Sequence, residues 1–222
     1  MDHYKQHFTY PSSNNEDVIH VTVWQPMKPR AIVQICHGMC EYVERYDEFA
    51  QFLNQYDILV VGNDHLGHGA SARDEEHLGY FAEENGDLFL VEDEHMLYLI
   101  MRQYYPDLPY FLFGHSMGSF ITRKYINEYG NELNGYICCG TAGLQKGKFK
   151  LRLVNFLIKR FGPLHRSKMM DKLVFTPYRL PFKQILFKES KKDKSPYLWL
   201  SRDRQVVEAY EHDPKCAFSF PL

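Results

Sequence analysis

The sequence predicts an α/β protein in which helices cover both faces of a mainly parallel sheet. Short apolar runs recur at 31–36, 58–62, 110–113 and 135–139, and such runs are typical of strands that are buried on both faces. Segments with the apolar spacing of helices lie between these runs. Because strands and helices alternate in this way, we expect most neighbouring strands to run parallel.

Each element is predicted from a local pattern. Residues 7–10 and 18–24 predict two strands, and a cluster of proline, serine and asparagine at 11–15 predicts the turn between them. A helix over 87–105 is expected to end before Pro106. The other predicted helices cover three segments: 44–55, 119–129 and 204–210.

The alternation stops after residue 140, and the composition changes there. Residues 146–194 contain 15 of the 26 lysine and arginine residues but only three acidic ones. We therefore predict three parts: an N-terminal core (1–143), an inserted basic helical lid (144–200) and a segment that returns to the core (201–222).

Composition limits the cellular setting. No stretch approaches the roughly 18 consecutive apolar residues of a membrane span, and the first residues lack the apolar core of a secretory signal. The five cysteines are odd in number and have neither zinc-type nor CxxC spacing. Free thiols indicate a reducing compartment. We expect a cytoplasmic protein, peripheral to a membrane at most.

Residues 114–118 read Gly-His-Ser-Met-Gly, directly after a predicted buried strand and before a predicted helix. This context predicts a nucleophile elbow, a strained turn that only small flanking residues allow and from which Ser116 Oγ projects. The helix N-terminus and the Met117 N–H would face a developing oxyanion. The alternative, a chance match within a loop, is disfavoured by the strand and the helix on either side.

A second segment, residues 37–41 (His-Gly-Met-Cys-Glu), follows the predicted strand at 31–36. A serine hydrolase needs a second backbone donor from a loop after an earlier strand, and the Met39 N–H fits that role. The alternative is a tight turn that only links strand to helix.

Residues 64–71 (Asp-His-Leu-Gly-His-Gly-Ala-Ser) suggest a metal site at first sight, since they hold two histidines and an aspartate. No further ligand cluster accompanies them, so we predict neither a metal nor a cofactor. Asp64 and His68 are expected to brace this loop beneath the active site. The residues predicted to support the site are His37, Gly38, Glu41, Asp64, His68, Gly114, His115 and Gly118.

These three segments, with Tyr46 and with the stretch 201–214, resemble the monoacylglycerol lipase and lysophospholipase group of α/β-hydrolases, which includes the serine aminopeptidase S33-like enzymes. The resemblance implies that Ser116 attacks an ester carbonyl of a small lipid substrate, that the N–H groups of Met39 and Met117 hold the oxyanion, and that water releases an acyl-enzyme.

The nucleophile lacks an evident base and acid. In this fold the acid and then the histidine follow the serine. The resemblance implies that both residues, and the final strands of the sheet, are missing here and lie beyond Leu222 in a longer protein, so the chain as given is expected to be almost inactive. His212 with Asp203 is the only in-chain substitute, in a stretch that the resemblance places too early. We expect His37 and His115 to be structural, with His115 pointing into the core.

The predicted lid begins with a basic amphipathic helix over 148–160. We expect its apolar stripe to pack over the pocket; the alternative is transient contact with an anionic membrane surface. Nucleic-acid binding is not predicted, because base-stacking motifs are lacking and the rest of the chain is acidic. A non-catalytic binding or scaffold protein is the rival from another class, and a peptidase or acyltransferase would share the same acyl-enzyme chemistry.

Overall fold

The computed structural model describes residues 4–143, 148–167 and 195–221, together with the single residues Met169, Lys172 and Thr176. The chain divides into two compact units, residues 1–146 and 147–222. Each unit is described by itself below.

The first unit is built on a six-stranded sheet. Along the chain the strands are β1 (Tyr4–Pro11), β2 (Val18–Gln25), β3 (Ala31–Cys36), β4 (Ile58–Asn63), β5 (Tyr110–His115) and β6 (Gly135–Cys139). Their spatial order is β1-β2-β4-β3-β5-β6. The pairs β1–β2 and β2–β4 are antiparallel, whereas β4, β3, β5 and β6 run parallel. The predicted mainly parallel sheet is therefore confirmed from β4 onward.

Helices cover both faces of the sheet, as predicted. A 3₁₀ turn (Val43–Tyr46) leads into α1 (Asp47–Asn54), and α2 (Gly86–Tyr104) and α3 (Met117–Tyr129) follow, with a 3₁₀ turn at Gly130–Glu132. The face beneath α1 holds a small cluster: Trp24, Ile35, Val43, Ala50 and Val60. The face beneath α2 and α3 holds the larger core, which includes Ile19, Leu59, Leu97, Leu112 and Tyr125.

Two boundaries differ from the predicted ones for physical reasons. The helix α3 begins at Met117, two residues before the predicted start, because the turn at Ser116 leads straight into it. The predicted helix over 44–55 is divided into the 3₁₀ turn and α1.

The strand β6 has an exposed surface. Within the described residues it pairs with β5 on one side only, and the side chains of Tyr136 and Ile137 are 54% and 57% exposed. In the part of the chain that the structure describes, β6 is therefore an exposed apolar edge. Such an edge offers unpaired backbone groups and apolar side chains to another strand.

The second unit contains α4 (Lys148–Phe161) and α5 (Arg204–His212). Val207, Tyr210 and Cys216 are buried within it, and an isolated bridge joins Arg166 to Pro221. Most of residues 168–194, with 144–147, lie outside the described residues, so about half of the predicted lid is not described. The predicted boundaries at 143/144 and 200/201 stay predictions. Among the described residues, no helix has the length and apolar character that a membrane crossing requires.

Candidate active site

Ser116 occupies a strained turn between β5 and α3. Its backbone has φ 52° and ψ −116°, a conformation that residues other than glycine rarely adopt. Such a conformation costs about 1–3 kcal/mol of folding free energy. Hydrogen bonds hold the turn on both sides. The Ser116 N–H donates to the Cys139 carbonyl (2.9 Å), and the Ser116 carbonyl accepts from the Ser119 N–H (3.0 Å) and hydroxyl (2.6 Å). The strain is therefore stabilised by the surrounding structure, as at many functional sites.

Two glycines make this turn sterically possible. A Cβ on Gly118 would lie against the backbone carbonyl of Cys36, at the end of β3, and a Cβ on Gly114 would lie against Thr122 Oγ1 and the Gly118 carbonyl. The start of α3 therefore approaches the sheet more closely than any side chain would permit. This approach is the steric requirement of a nucleophile elbow.

The turn after β3 lies beside the nucleophile. A Cβ added to Gly38 would lie 3.2 Å from Ser116 Cβ, so the predicted second donor loop and the elbow meet. Met39, the next residue, is partly exposed in the same turn. Met39 lies in the turn after β3, and Met117 directly follows Ser116, so both residues lie in segments next to Ser116. Their roles as oxyanion donors stay predictions.

Glu41 holds this turn from beneath. Its Oε1 accepts hydrogen bonds from the Gly38 N–H (2.5 Å) and the Tyr46 hydroxyl (2.8 Å) and lies 3.3 Å from His115 Nδ1. Burial opposes the ionised form, but these bonds, led by the one from His115, leave the pKa of Glu41 below its usual value. The bond to Glu41 raises the pKa of His115. An ionised carboxylate thus fixes the backbone next to Ser116.

Two buried histidines stay neutral beneath the site. Burial and the neighbouring imidazoles lower the pKa of His37 well below its usual value, and burial lowers that of His68 to about 3. The hydrogen bonds of both histidines are those of neutral rings, in which one nitrogen carries a proton and the other accepts. His37 Nδ1–H donates to the Gly38 carbonyl (2.8 Å) and Nε2 accepts from the His65 N–H (3.0 Å); His68 Nδ1–H donates to the Leu66 carbonyl (3.0 Å) and Nε2 accepts from the Cys40 N–H (3.3 Å).

Asp64 ties the loop at 64–71 to the start of the first 3₁₀ turn. Its Oδ1 accepts from the Val43 N–H (2.8 Å) and its Oδ2 from the Ala70 N–H (2.7 Å). The metal interpretation of this loop is not supported by these contacts, since the carboxylate and the two His68 nitrogens already bind the protein backbone. Asp64 and His68 occupy positions from which they can brace the loop, and that role stays a prediction.

One expectation about a histidine is wrong, and one alternative that the sequence already disfavoured is excluded. His115 does not point into the core: its side chain is 41% exposed, because side chains alternate along β5 and place it on the less covered face, with Phe111 and Phe113. Asp203 and His212 cannot form an acid–base pair. Asp203 caps the start of α5 and His212 lies at its last residue, about 13 Å away for a nine-residue helix.

Sequence reasoning missed the polar residues beneath the site. Gln34 in β3 and Glu94 in α2 are buried and joined by a hydrogen bond of 2.5 Å. A signal was present, since glutamine interrupts the apolar run at 31–36. A buried polar side chain needs a buried partner, but the partner's position depends on tertiary structure.

The sheet order, the helices on both faces and the strained serine elbow define an α/β-hydrolase fold. Residues 27–222 match the family model described as serine aminopeptidase, S33. The chain belongs to this family.

The relatives agree with that membership. Rat (Rattus norvegicus) monoglyceride lipase is 36% identical over 122 residues, which are 51% of this chain and 36% of that protein. Monoacylglycerol lipase from Mycolicibacterium smegmatis is 36% identical over 121 residues, 54% of this chain and 41% of that protein. The matches thus span less than half the length of these curated relatives.

A solved structure extends the likeness to nearly the whole chain. A thermostable carboxyl esterase from Bacillus coagulans superposes with a TM-score of 0.82 and 33% sequence identity over 97% of this chain and 67% of that one. A lipase in an open form, 24% identical with a TM-score of 0.79, shows the fold alone.

Proposed function

We propose that this chain is part of a serine hydrolase that cleaves carboxylic esters of monoacylglycerol-like or lysophospholipid-like substrates through an acyl-enzyme. The observation that carries the proposal is the strained backbone of Ser116 beside the Gly38 turn. A serine in this conformation presents its hydroxyl at the end of the sheet, next to backbone donors. The names of the relatives, monoglyceride lipase and carboxyl esterase, support the substrate class.

The reaction proceeds in two steps. Ser116 Oγ attacks the ester carbonyl carbon and gives its proton to a general base, while the carbonyl oxygen becomes an oxyanion held by the N–H groups of Met39 and Met117. The alcohol leaves with a proton, and a water molecule then attacks the acyl-enzyme and releases the fatty acid. The helix dipole at the start of α3 adds favourable potential at the oxyanion.

The base and its acid lie outside the described site. Within the described residues, no histidine hydrogen-bonds the Ser116 hydroxyl: His37 and His68 have committed their ring nitrogens to backbone groups, and His115 pairs with Glu41. The proposal assigns base and acid to residues that follow this sequence in a longer protein, in the order that the fold uses. Without them, loss of activity by several powers of ten is expected.

A covalent probe tests the proposal. A fluorophosphonate should label the full-length gene product, and the label should be absent from Ser116→Ala and unchanged in Ser13→Ala, a serine in the turn after β1. Failure of the full-length protein to label at Ser116 would contradict the hydrolase and favour a binding or scaffold protein that keeps the pocket. A panel of esters, peptides and acyl acceptors would then separate an esterase from a peptidase or an acyltransferase.

Helix α4 supports contact with a lipid surface. Its side chains Phe156 and Phe161 are 63% and 53% exposed, and the basic residues Lys159 and Arg160 are exposed near them. An apolar and basic helix of this kind binds anionic interfaces. We therefore propose that α4 contacts the membrane on which the substrate resides.

A further inference from the structure

A fully buried histidine and glutamate face each other beneath the oxyanion turn. His65 follows β4 and Glu94 lies in the middle of α2, and both side chains have no exposed surface. His65 Nδ1 lies 3.3 Å from Glu94 Oε1, and within the described residues neither atom has a hydrogen bond of good geometry to any group, the facing atom included. Buried polar atoms without partners are costly, so this contact calls for a chemical explanation.

The other nitrogen of His65 shows where its ring proton is. His65 Nε2 lies 3.0 Å from the His37 carbonyl oxygen, which can only accept. Nε2 therefore carries a hydrogen, and in a neutral ring Nδ1 is an acceptor.

The glutamate is fixed in the same way. Gln34 Nε2 donates to the Glu94 backbone carbonyl (2.9 Å), which identifies it as the amide nitrogen, and it also donates to Glu94 Oε2 (2.5 Å). The Tyr110 hydroxyl donates to Gln34 Oε1 (2.5 Å). Oε2 thus accepts, and Oε1 faces Nδ1. A neutral His65 and an ionised Glu94 would place two bare acceptors against each other away from water.

We propose that His65 and Glu94 share one buried proton between Nδ1 and Oε1, and that Glu94 thereby acts as a positioning residue for the turn beside Ser116. The pair may be written as imidazolium with carboxylate or as imidazole with carboxylic acid, and both forms contain the same extra proton. The proton converts two facing acceptors into one hydrogen bond in a medium where such bonds are strong.

A metal ion explains the cluster less well. Cys36 Sγ, His65 and Glu94 offer ligand atoms that all lie within 4.8 Å of one another. However, Sγ lies 3.7 Å from His65 Nε2, the nitrogen that binds the His37 carbonyl, whereas the carboxylate faces Nδ1. Burial also raises the pKa of the Cys36 thiol well above its usual value, which opposes the thiolate that a metal requires.

The shared proton connects helix α2 to the nucleophile. His65 Nε2–H donates to the His37 carbonyl, and the His65 N–H donates to His37 Nε2. His37 in turn donates to the Gly38 carbonyl, and Gly38 packs beside Ser116. The claim that Glu94 positions a candidate oxyanion donor loop rests on the proposed function. The claim that His65 and Glu94 share a proton does not depend on it.

The imidazoles, the thiol and the tyrosines around the pair favour their neutral forms near pH 7, whereas Asp93 and Arg102 are nearby side chains of the charged type. The pKa values of His37 and His68 are lowered, and those of Cys36 and the nearby tyrosines are raised by burial. The titratable and charged groups that face the pair or its partners are Cys36, His37, His68, Tyr10, Asp93, Arg102, Tyr110 and Tyr125.

Nuclear magnetic resonance on the 222-residue chain tests the proton directly. At about pH 7.5, where free histidine is mostly neutral and free glutamate ionised, we expect one slowly exchanging, far-downfield proton from the pair. It should disappear in Glu94→Gln, whose amide can donate to Nδ1 while its oxygen accepts from Gln34. It should persist in Asp93→Asn, a neighbouring buried carboxylate that binds Ser12 and Ser13 instead. Absence of this resonance from the wild-type chain would overturn the proposal.

Unfolding gives a second, independent measurement. The folded pair holds one proton more than the unfolded chain near pH 7.5, so raising the pH favours unfolding. Between about pH 7 and 8, the unfolding equilibrium constant of the wild type should rise tenfold more per pH unit than that of Glu94→Gln. Equal slopes would sink the proposal, as would stoichiometric Zn²⁺ binding that Cys36→Ser abolishes. If Glu94→Gln does not fold, the proposal is still tested by the downfield resonance of the wild type and by its persistence in Asp93→Asn. Fluorophosphonate labelling of Ser116 tests the proposed function separately.

Discussion

Glu41 Oε1 lies 3.3 Å from His115 Nδ1, so the side chain before Ser116 is paired with the carboxylate that holds the turn after β3. The same oxygen accepts from the Gly38 N–H. The two segments on which the proposed site depends, the elbow and the turn after β3, are therefore linked by one ionised group.

The pairing of Glu41 with His115 predicts how the stability of the fold depends on pH. Hydrogen bonding to Glu41 raises the pKa of His115, so the stability that the pair contributes is fully present below about pH 6.5 and is lost as the pH rises through the raised value. At the acid end, the lowered pKa of Glu41 means that its contribution is lost only as the pH falls through that value. Glu41→Gln should return the pKa of His115 toward its ordinary value, measured by titrating the His115 ring by NMR.

The same substitution should destabilise the fold. The Gly38 N–H and the Tyr46 hydroxyl would lose a charged acceptor, which costs about 1–3 kcal/mol when the groups are buried. Urea unfolding at pH 6 measures this loss. Glu44→Gln is the matched control, because Glu44 is partly exposed and pairs with Lys5. A His115 titration that does not change in Glu41→Gln would contradict the assigned cause.

The close approach at the elbow predicts that Gly118→Ala unfolds the site. The added methyl group would meet the Cys36 carbonyl, which belongs to the backbone and cannot rotate away. We expect a loss of about 1–3 kcal/mol or more, measured by thermal unfolding. Gly143→Ala is the control, because a Cβ there meets nothing within 4 Å. Equal stability of the two variants would show that α3 can move away from β3 at little cost.

The strain at Ser116 predicts that two substitutions differ in their effect on the stability of the fold. Ser116→Gly removes the Cβ that makes φ 52° unfavourable, whereas Ser116→Ala keeps it; both remove the hydroxyl. We expect the glycine variant to be more stable than the alanine variant by about 1 kcal/mol after the entropy cost of glycine. Denaturant midpoints compare them. A more stable alanine variant would mean that the turn is not strained.

The exposed strand β6 predicts self-association. Ile137 is 57% exposed on a strand whose outer edge is unpaired among the described residues. Ile137→Lys should raise the monomeric fraction of the 222-residue chain, since an edge lysine opposes strand addition. Ile137→Leu, which keeps the apolar surface, is the control. Sedimentation at several concentrations measures the effect, and identical profiles for all three proteins would exclude association through this strand.

The exposed apolar residues of α4 predict lipid binding. The chain should bind anionic phosphatidylserine vesicles better than neutral phosphatidylcholine vesicles, and Phe156→Ser should weaken binding several-fold because it removes an exposed aromatic side chain from the apolar face. Asn155→Ser, an exposed polar neighbour, should bind like the wild type. Equal binding to both lipids would exclude the preference for an anionic surface, and no binding to anionic vesicles would contradict the proposed membrane contact.

Much of the fold and part of the site could be predicted from sequence. The strand at 110–113, the glycines at 114 and 118 and the helix after them form a local pattern, in which the elbow geometry follows from steric exclusion between neighbours in the chain. The position of His115 could not be predicted in this way. It depends on which face of β5 is covered. Tyr110 and Leu112, on the buried face, pack in a core that also contains residues from α2 and, far away in the chain, from β2 and β4.

The sequence by itself determined the α/β class and predicted the strained turn at Ser116 and the turn after β3, because periodicity and glycine sterics act over a few residues. Tertiary structure alone decided the partners. Glu41 meets His115 across 74 positions, and Gln34 meets Glu94 across 60. Such pairs form because buried polar groups must find partners wherever the fold places them, and no local pattern specifies where that will be.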